Sequence, residues 1–138
     1  MIPSYLFIAP SSLGGRGVFT DNEIPAETVV ETAPVIVMSA ADRLLLDKTL
    51  LHDYIFEWGE TKDRCAMALG WVPMYNHDYR SNCEYFMDYE NDTMFVKTVR
   101  AIAAGEELTI NYNGTWNDAT PVWFETRQGG GDGISPGQ

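Results

Sequence analysis

Tyr75-Asn76-His77-Asp78-Tyr79-Arg80-Ser81-Asn82 and Gly105-Glu106-Glu107-Leu108-Thr109-Ile110-Asn111-Tyr112 are the two stretches on which the reading of this chain turns. The first is a polar loop, dense in hydrogen-bonding side chains, between two apolar runs. The second is a glycine turn, a short strand and a tyrosine at the strand's end. Far upstream, Gly14-Gly15-Arg16-Gly17 joins two strand-like runs with no side-chain bulk at three of its four positions. Glycine there lets the backbone take φ > 0 and approach a ligand closely, and it serves a tight hairpin equally well. A lone Asn-His pair is usually a loop or a satisfied core histidine. It is the three features together, in this order, that carry weight.

At 138 residues there is room for one domain. With 45% hydrophobic residues, including four Trp, seven Tyr and six Phe, the composition is globular and supports a small core. No run approaches the ~18 apolar residues of a membrane helix. The opening Met1-Ile2-Pro3-Ser4-Tyr5-Leu6-Phe7-Ile8-Ala9 lacks the basic start and apolar length of a signal peptide. An intracellular protein with no membrane partner is therefore expected. Two cysteines, Cys65 and Cys83, are too few for a disulfide framework or a cysteine zinc site. Both are expected to be buried core thiols, and no metal is expected. The formal net charge is −11. Such a chain does not seek nucleic acid phosphate. It suits a basic partner, although solubility explains the charge equally well.

Along the chain, strands are expected at 4–9, 17–20, 29–31 and 35–38, the last two split by Pro34. Ser39, with Asp42 three residues on, marks a helix N-terminus. Leu45, Leu46, Leu50, Tyr54 and Ile55 recur at helical spacing, so the helix is expected to run to Trp58-Gly59. Residues 65–69 are a short apolar segment closed by Gly70. Residues 83–89 and 93–99 flank Glu90-Asn91-Asp92 as a β-hairpin, and 108–111 is a last strand. The expected class is mainly β (α+β), with many short strands, one helical insert and no βαβ rhythm. Residues 1–120 form the domain, and 121–138 a C-terminal extension, disordered from about Gln128 by its low-complexity composition.

Asn76-His77 with Asn82, Gly105-Glu106-Glu107-Leu108-Thr109 with Tyr112, and the Gly15-Arg16-Gly17 turn together resemble the SET-domain protein lysine methyltransferases. That family has Asn-His-Ser-Cys-x-Pro-Asn and Gly-Glu-Glu-Leu-Thr-x-x-Tyr. The second pattern is matched nearly throughout. In the first, Asp78, Tyr79 and Ser81 replace Ser, Cys and Pro. Asp78 can still accept a hydrogen bond where serine would, and Ser81 leaves the turn less stiff. Ser12-Leu13-Gly14-Gly15, Asp53-Tyr54-Ile55-Phe56 and Ala66-Met67-Ala68-Leu69-Gly70 are similar to the small stand-alone SET proteins of chlorella viruses. The resemblance covers roughly residues 5–116.

It implies a β-clip of small curled sheets with a helical insert, its C-terminal segment threaded under an earlier loop as a pseudoknot. Threaded connections are rare, so no short-range rule would find one. It implies transfer of a methyl group from S-adenosylmethionine to a lysine amine, leaving S-adenosylhomocysteine. By the resemblance, Gly15, Arg16 and Gly17 cradle the cofactor, Asn76 and His77 hold its methionine and adenine parts, and Asn82 braces their loop. Trp116 covers the cofactor or channel, with surface packing as its bland alternative. Tyr112 touches both cofactor and amine, and Tyr54 is the second catalytic tyrosine. Tyr54, Ile110 and Tyr112 wall the substrate channel. Isoleucine at 110 has no hydroxyl to anchor a water beside the amine, which implies more than one methyl group per lysine.

The reaction needs a neutral amine, whereas lysine is ~99.9% protonated at pH 7 given its reference pKa of ~10.4. An aromatic channel beside a positive sulfonium lowers that value. Tyrosine, with a pKa of ~10, is a poor bulk base at pH 7. Orientation and electrostatic stabilisation are thus the expected roles of Tyr112. The implied partner is a basic protein or peptide, a histone tail first and a non-histone lysine second, in a nucleus or else the cytoplasm. An inactive module that only binds lysine peptides is the alternative of a different class. A homodimer stays open.

Overall fold

Residues 2–119 and Pro121 are described by the structure, a computed structural model. Strands β1 (Leu6–Pro10) and β2 (Arg16–Thr20) form a hairpin with Leu6 opposite Thr20 and Pro10 opposite Arg16. The connecting loop closes with the Ser11 N–H donating to the Gly15 carbonyl at 3.0 Å. Gly14 and Gly15 have φ of 130° and 53°, so the hairpin itself requires them.

Strand β3 (Val29–Met38) runs ten residues and is not split at Pro34. Residues 29–34 pair with β8 (Thr93–Thr98), and residues 35–38 pair with β5 (Arg64–Ala68). Pro34 sits where one partner gives way to the other, so its missing N–H interrupts neither ladder. The hairpin of β7 (Cys83–Asp88) and β8 forms as expected, with Cys83 opposite Thr98 and Asp88 opposite Thr93. With β4 (Phe56–Trp58) at the far edge, this sheet has the order β4-β5-β3-β8-β7.

The helix expected from Ser39 to Trp58 is not one element. Helix α1 covers only Ala40–Leu46. Its start is as expected: Ser39 Oγ accepts from the Asp42 N–H at 3.1 Å, and the Asp42 carboxylate accepts from the Ser39 N–H at 3.4 Å. A separate 3-10 turn follows at Leu50–Asp53, and β4 then pairs with β5. Thr49 makes the break. Its hydroxyl donates to the Leu46 carbonyl at 2.7 Å and accepts from the Leu51 N–H at 3.2 Å, a local alternative to helical bonding. The leucine spacing does not mark a core face either, since Leu45 and Leu50 are 65% and 67% exposed.

The second sheet, ordered β1-β2-β9 (Glu107–Ile110)-β6 (Asn76–His77), brings the two opening motifs together. Strand β6 is only Asn76–His77, and it runs parallel to β9 (Glu107–Ile110), with Asn76 opposite Thr109 and His77 opposite Ile110. Beyond β9 the chain stays laced to the loop after β6. Ser81 N–H donates to the Trp116 carbonyl at 3.0 Å, and the Asn111 amide donates to Tyr79 O at 3.2 Å and Asp118 O at 2.7 Å. The core between the sheets holds Val18, Val30, Trp58, Val72, Tyr75, Met94, Val96, Leu108 and Ile110. Cys65 and Cys83 are free and buried, as expected. Burial pushes the Cys83 thiol far above its ordinary range, so it is no nucleophile. Among the described residues no helix is long and apolar enough to cross a membrane. The expected extension at 121–138 lies outside the described residues apart from Pro121.

Candidate active site

Tyr112 lies two residues beyond the end of β9 and is held at three atoms. Its N–H donates to His77 Nδ1 at 3.0 Å. Its carbonyl accepts from the Tyr85 hydroxyl at 3.2 Å. Its own hydroxyl donates to the Tyr75 carbonyl at 2.8 Å. Because His77 accepts through Nδ1, its neutral ring carries the proton on Nε2. The His77 ring also packs on Tyr112 at 5.0 Å and edge-on against Tyr79 at 4.4 Å between centroids. A phenol so fixed has no rotational choice left, which is what an orienting group needs.

Beside Tyr112 lies a cavity of about 590 Å³, walled by Tyr54, Phe56, Tyr75, Tyr85, Tyr89 and Tyr112, with Asp53 and Glu57 also lining it. That volume is in the range of small-ligand sites. Tyr54 and Tyr112 thus line one aromatic cavity. Burial pushes the Tyr112 phenol far above its ordinary range, with Tyr54 and Asp53 adding to the effect. Tyr85 is pushed up to about 12, mainly by burial and then by Glu57. Tyr54 is raised by burial and then by Asp53, while Arg16 acts the other way. The hydroxyls of Tyr54, Tyr85 and Tyr112 therefore stay protonated across the neutral range.

The second part of the site is the glycine loop. The Asn76 amide donates to the Arg16 carbonyl at 3.1 Å and to Glu107 Oε2 at 2.8 Å. Glu107 Oε1 accepts from the Ser11 hydroxyl at 2.7 Å. One carboxylate thus joins both motifs to the β1–β2 hairpin. A Cβ on Gly17 would collide with Glu107 Oε2 and lie 2.9 Å from Asn76 Nδ2, so this glycine is required for space. Gly15 serves the turn by its φ of 53°. Asn82 braces the loop as expected. Its amide donates to Glu107 O at 2.8 Å, and its carbonyl oxygen accepts from the Thr109 N–H at 2.8 Å.

Two expected residues stand elsewhere. Ile110 is fully buried in the core and does not line this cavity. A water beside an amine in the cavity would find its partners among Tyr54, Tyr85 and Tyr89 rather than at position 110. Trp116 does not line the cavity either. Its carbonyl accepts from Ser81, its N–H donates to Glu84 at 3.2 Å, and the Arg80 guanidinium lies 5.9 Å over its ring. Sequence reasoning assigned no role to Tyr75, Tyr85 or Glu107. Tyr75 and Glu107 lie inside the two motifs, and that was the available signal. Tyr85 looks like any other residue of its strand. Among the described residues no group of three or more His, Cys, Asp or Glu could hold a metal ion.

Comparison with known proteins agrees with this fold. The family model of the SET domain matches residues 15–113. The chain is 34% identical over 139 residues to a Schizosaccharomyces pombe protein named histone-lysine N-methyltransferase, H3 lysine-37 specific, covering 100% of this chain and 89% of that one. It also superposes on the crystal structure of a candidate histone methyltransferase from Plasmodium falciparum. The TM-score is 0.61 at 25% identity, over 80% of this chain and 99% of that one.

Proposed function

The chain belongs to the SET-domain family and is a protein-lysine N-methyltransferase, and from that premise we propose that it methylates a lysine of a histone tail with S-adenosylmethionine as donor. The observation that carries the reading is Tyr112, held at three atoms on the wall of a tyrosine-lined cavity. S-adenosylmethionine supplies, when bound, a methyl carbon on a positively charged sulfur that an amine can displace. The residues present fit it. The Asn76 amide and the Glu107 carboxylate fill the space beside Gly17 and tie the glycine loop at the Arg16 carbonyl, so the loop backbone is held in place for a ligand to lie against. The glycine loop, Asn76 and His77 would hold the group.

The chain's own residues do the rest. The Tyr112 hydroxyl spends its hydrogen on the Tyr75 carbonyl, so its oxygen is left as an acceptor. An acceptor there can take an N–H of the substrate amine and aim the nitrogen lone pair. The aromatic walls exclude water and disfavour a protonated amine. Tyr112 does not remove the proton, because its phenol is shifted away from ionisation. Turnover should therefore rise with pH as the lysine deprotonates and show no tyrosine-type limb up to about pH 10. A pH–rate profile at saturating cofactor checks this. A limb that disappears in Tyr54→Phe would give Tyr54 a proton-transfer role instead.

A histone tail fits both the name of the yeast relative and the charge. At −11 overall, and with Asp53 and Glu57 in the cavity lining, the protein attracts a basic peptide. A histone substrate also places its work in a nucleus. The Michaelis constant for a tail peptide should rise several-fold from low salt to about 0.15 M, where the screening length is ~8 Å. Steady-state kinetics over a salt series measures it, and a flat response would put the acidic surface outside recognition. Incubation with labelled S-adenosylmethionine, core histones and other basic proteins tests the substrate. Label on another protein but not on histones would replace the histone reading. Cofactor-free peptide binding without any transfer would favour an inactive module.

A further inference from the structure

We propose that Glu31 is a positioning residue of the methyl-transfer site: its buried carboxylate grips both ends of segment 71–75 and so fixes the Tyr75 carbonyl that takes the Tyr112 hydroxyl hydrogen. Glu31 lies on β3, in the other sheet from β9, and is 2% exposed. Its Oε2 accepts from the Trp71 N–H at 2.7 Å, and its Oε1 accepts from the Tyr75 hydroxyl at 3.1 Å. Between these two anchors lies the 3-10 turn Val72–Met74, whose own N-cap residue, Trp71, makes no side-chain capping bond. Glu31 therefore does from a distant strand what a local cap normally does. The turn ends at Tyr75, and Asn76 and His77 follow at once. One anchored segment thus leads into two of the three contacts on Tyr112, the Tyr75 carbonyl and His77 Nδ1.

Space is kept for this carboxylate. A Cβ on Gly70 would lie 2.5 Å from Glu31 Oε2, and Gly70 has φ of 74°, which other residues rarely adopt. Burial raises the carboxyl's pKa, and the Trp71 N–H and Tyr75 hydroxyl pull it back. A buried carboxylate is costly, and an apolar residue of the same size would pack there at less expense. None of the ion pairs among the described residues involves Glu31. Its two bonds both end on the segment that holds Tyr112.

The proposal rests on the methyltransferase reading, so its test includes a measurement that needs no substrate. In the full chain, Glu31→Gln keeps the size but replaces one of the two acceptor oxygens with an NH2 group, which faces one of the two donors. Tyr75→Phe removes the hydroxyl and leaves the carbonyl. Each is expected to lower kcat about tenfold, while KM for the peptide and the cofactor Kd stay within about twofold. The double variant should be no slower than the worse single one, because both break one linkage. With tyrosine labelled at Cζ, the Tyr112 resonance, assigned by its loss in Tyr112→Phe, should move in Glu31→Gln and stay put in the core variant Ile24→Val, at the Ile24–Ile102 bridge. If both variants lower only the melting temperature, with kcat per folded molecule unchanged, Glu31 is a structural cap and the proposal is wrong. Should the wild type methylate nothing, the proposed function fails on its own, and an unmoved Tyr112 resonance then overturns the Glu31 linkage.

Discussion

Tyr112→Phe lowers methyl transfer roughly a hundred- to a thousandfold while S-adenosylmethionine still binds. The ring survives the change, and with it the packing against His77 at 5.0 Å. The backbone contacts to His77 and Tyr85 survive too, since they use the N–H and carbonyl. What disappears is one oxygen. It is the atom tied to the Tyr75 carbonyl at 2.8 Å and the one left to accept from the amine. The loss should fall on kcat, because an interaction made at the reacting nitrogen acts in the transition state. Stability should drop by about 1–3 kcal/mol as well, because the Tyr75 carbonyl loses its donor. Calorimetry on the cofactor separates the two effects. A variant that keeps most of its turnover would take Tyr112 out of the mechanism.

Asn76→Ala raises the cofactor Kd about ten- to a hundredfold, the larger value if both of its partners are left bare. Asn76 is 4% exposed and donates to Arg16 O and Glu107 Oε2. Without it the loop carbonyl and the carboxylate each lose a donor, and the β1–β2 hairpin loses one of its ties to β9. The surrounding ties remain, since Ser11 still donates to Glu107 and Asn82 still bonds Glu107 O and the Thr109 N–H. The chain should therefore fold, and the deficit should appear in binding. Gly17→Ala is expected to act in the same direction, because its Cβ would push Glu107 and Asn76 apart. Titration calorimetry measures both. An unchanged Kd with a lower melting temperature would leave Asn76 as a loop brace only.

Much of this was readable from residues that act locally. The Ser39–Asp42 capping box, the β7–β8 hairpin and the glycine turn each depend on neighbours within a few positions, so their signals are intact in the sequence. The motifs around Asn76 and Tyr112 were readable as patterns, and the fold places them side by side. What failed depended on the third dimension. The spacing of Leu45 and Leu50 looked like a buried helix face, but periodicity does not say whether anything packs on that face. Pro34 looked like a break because a sequence does not show where a strand changes partners. Strand β6, at two residues, is shorter than any alternation that could announce it. Glu31 sits in a β-branched run, where a charged residue reads as a solvent-facing position. Its partner Tyr75 is 44 residues away, so the bond that explains it has no local trace.

The most direct test is intact-mass analysis of purified core histones after incubation with the full chain and saturating S-adenosylmethionine, beside the same reaction with Tyr112→Phe. The account predicts methyl-sized mass increments on a histone lysine with the wild type and none above background with the variant. Folded, cofactor-bound wild-type protein that leaves every histone unmodified, or a Tyr112→Phe variant that modifies them equally, would contradict it.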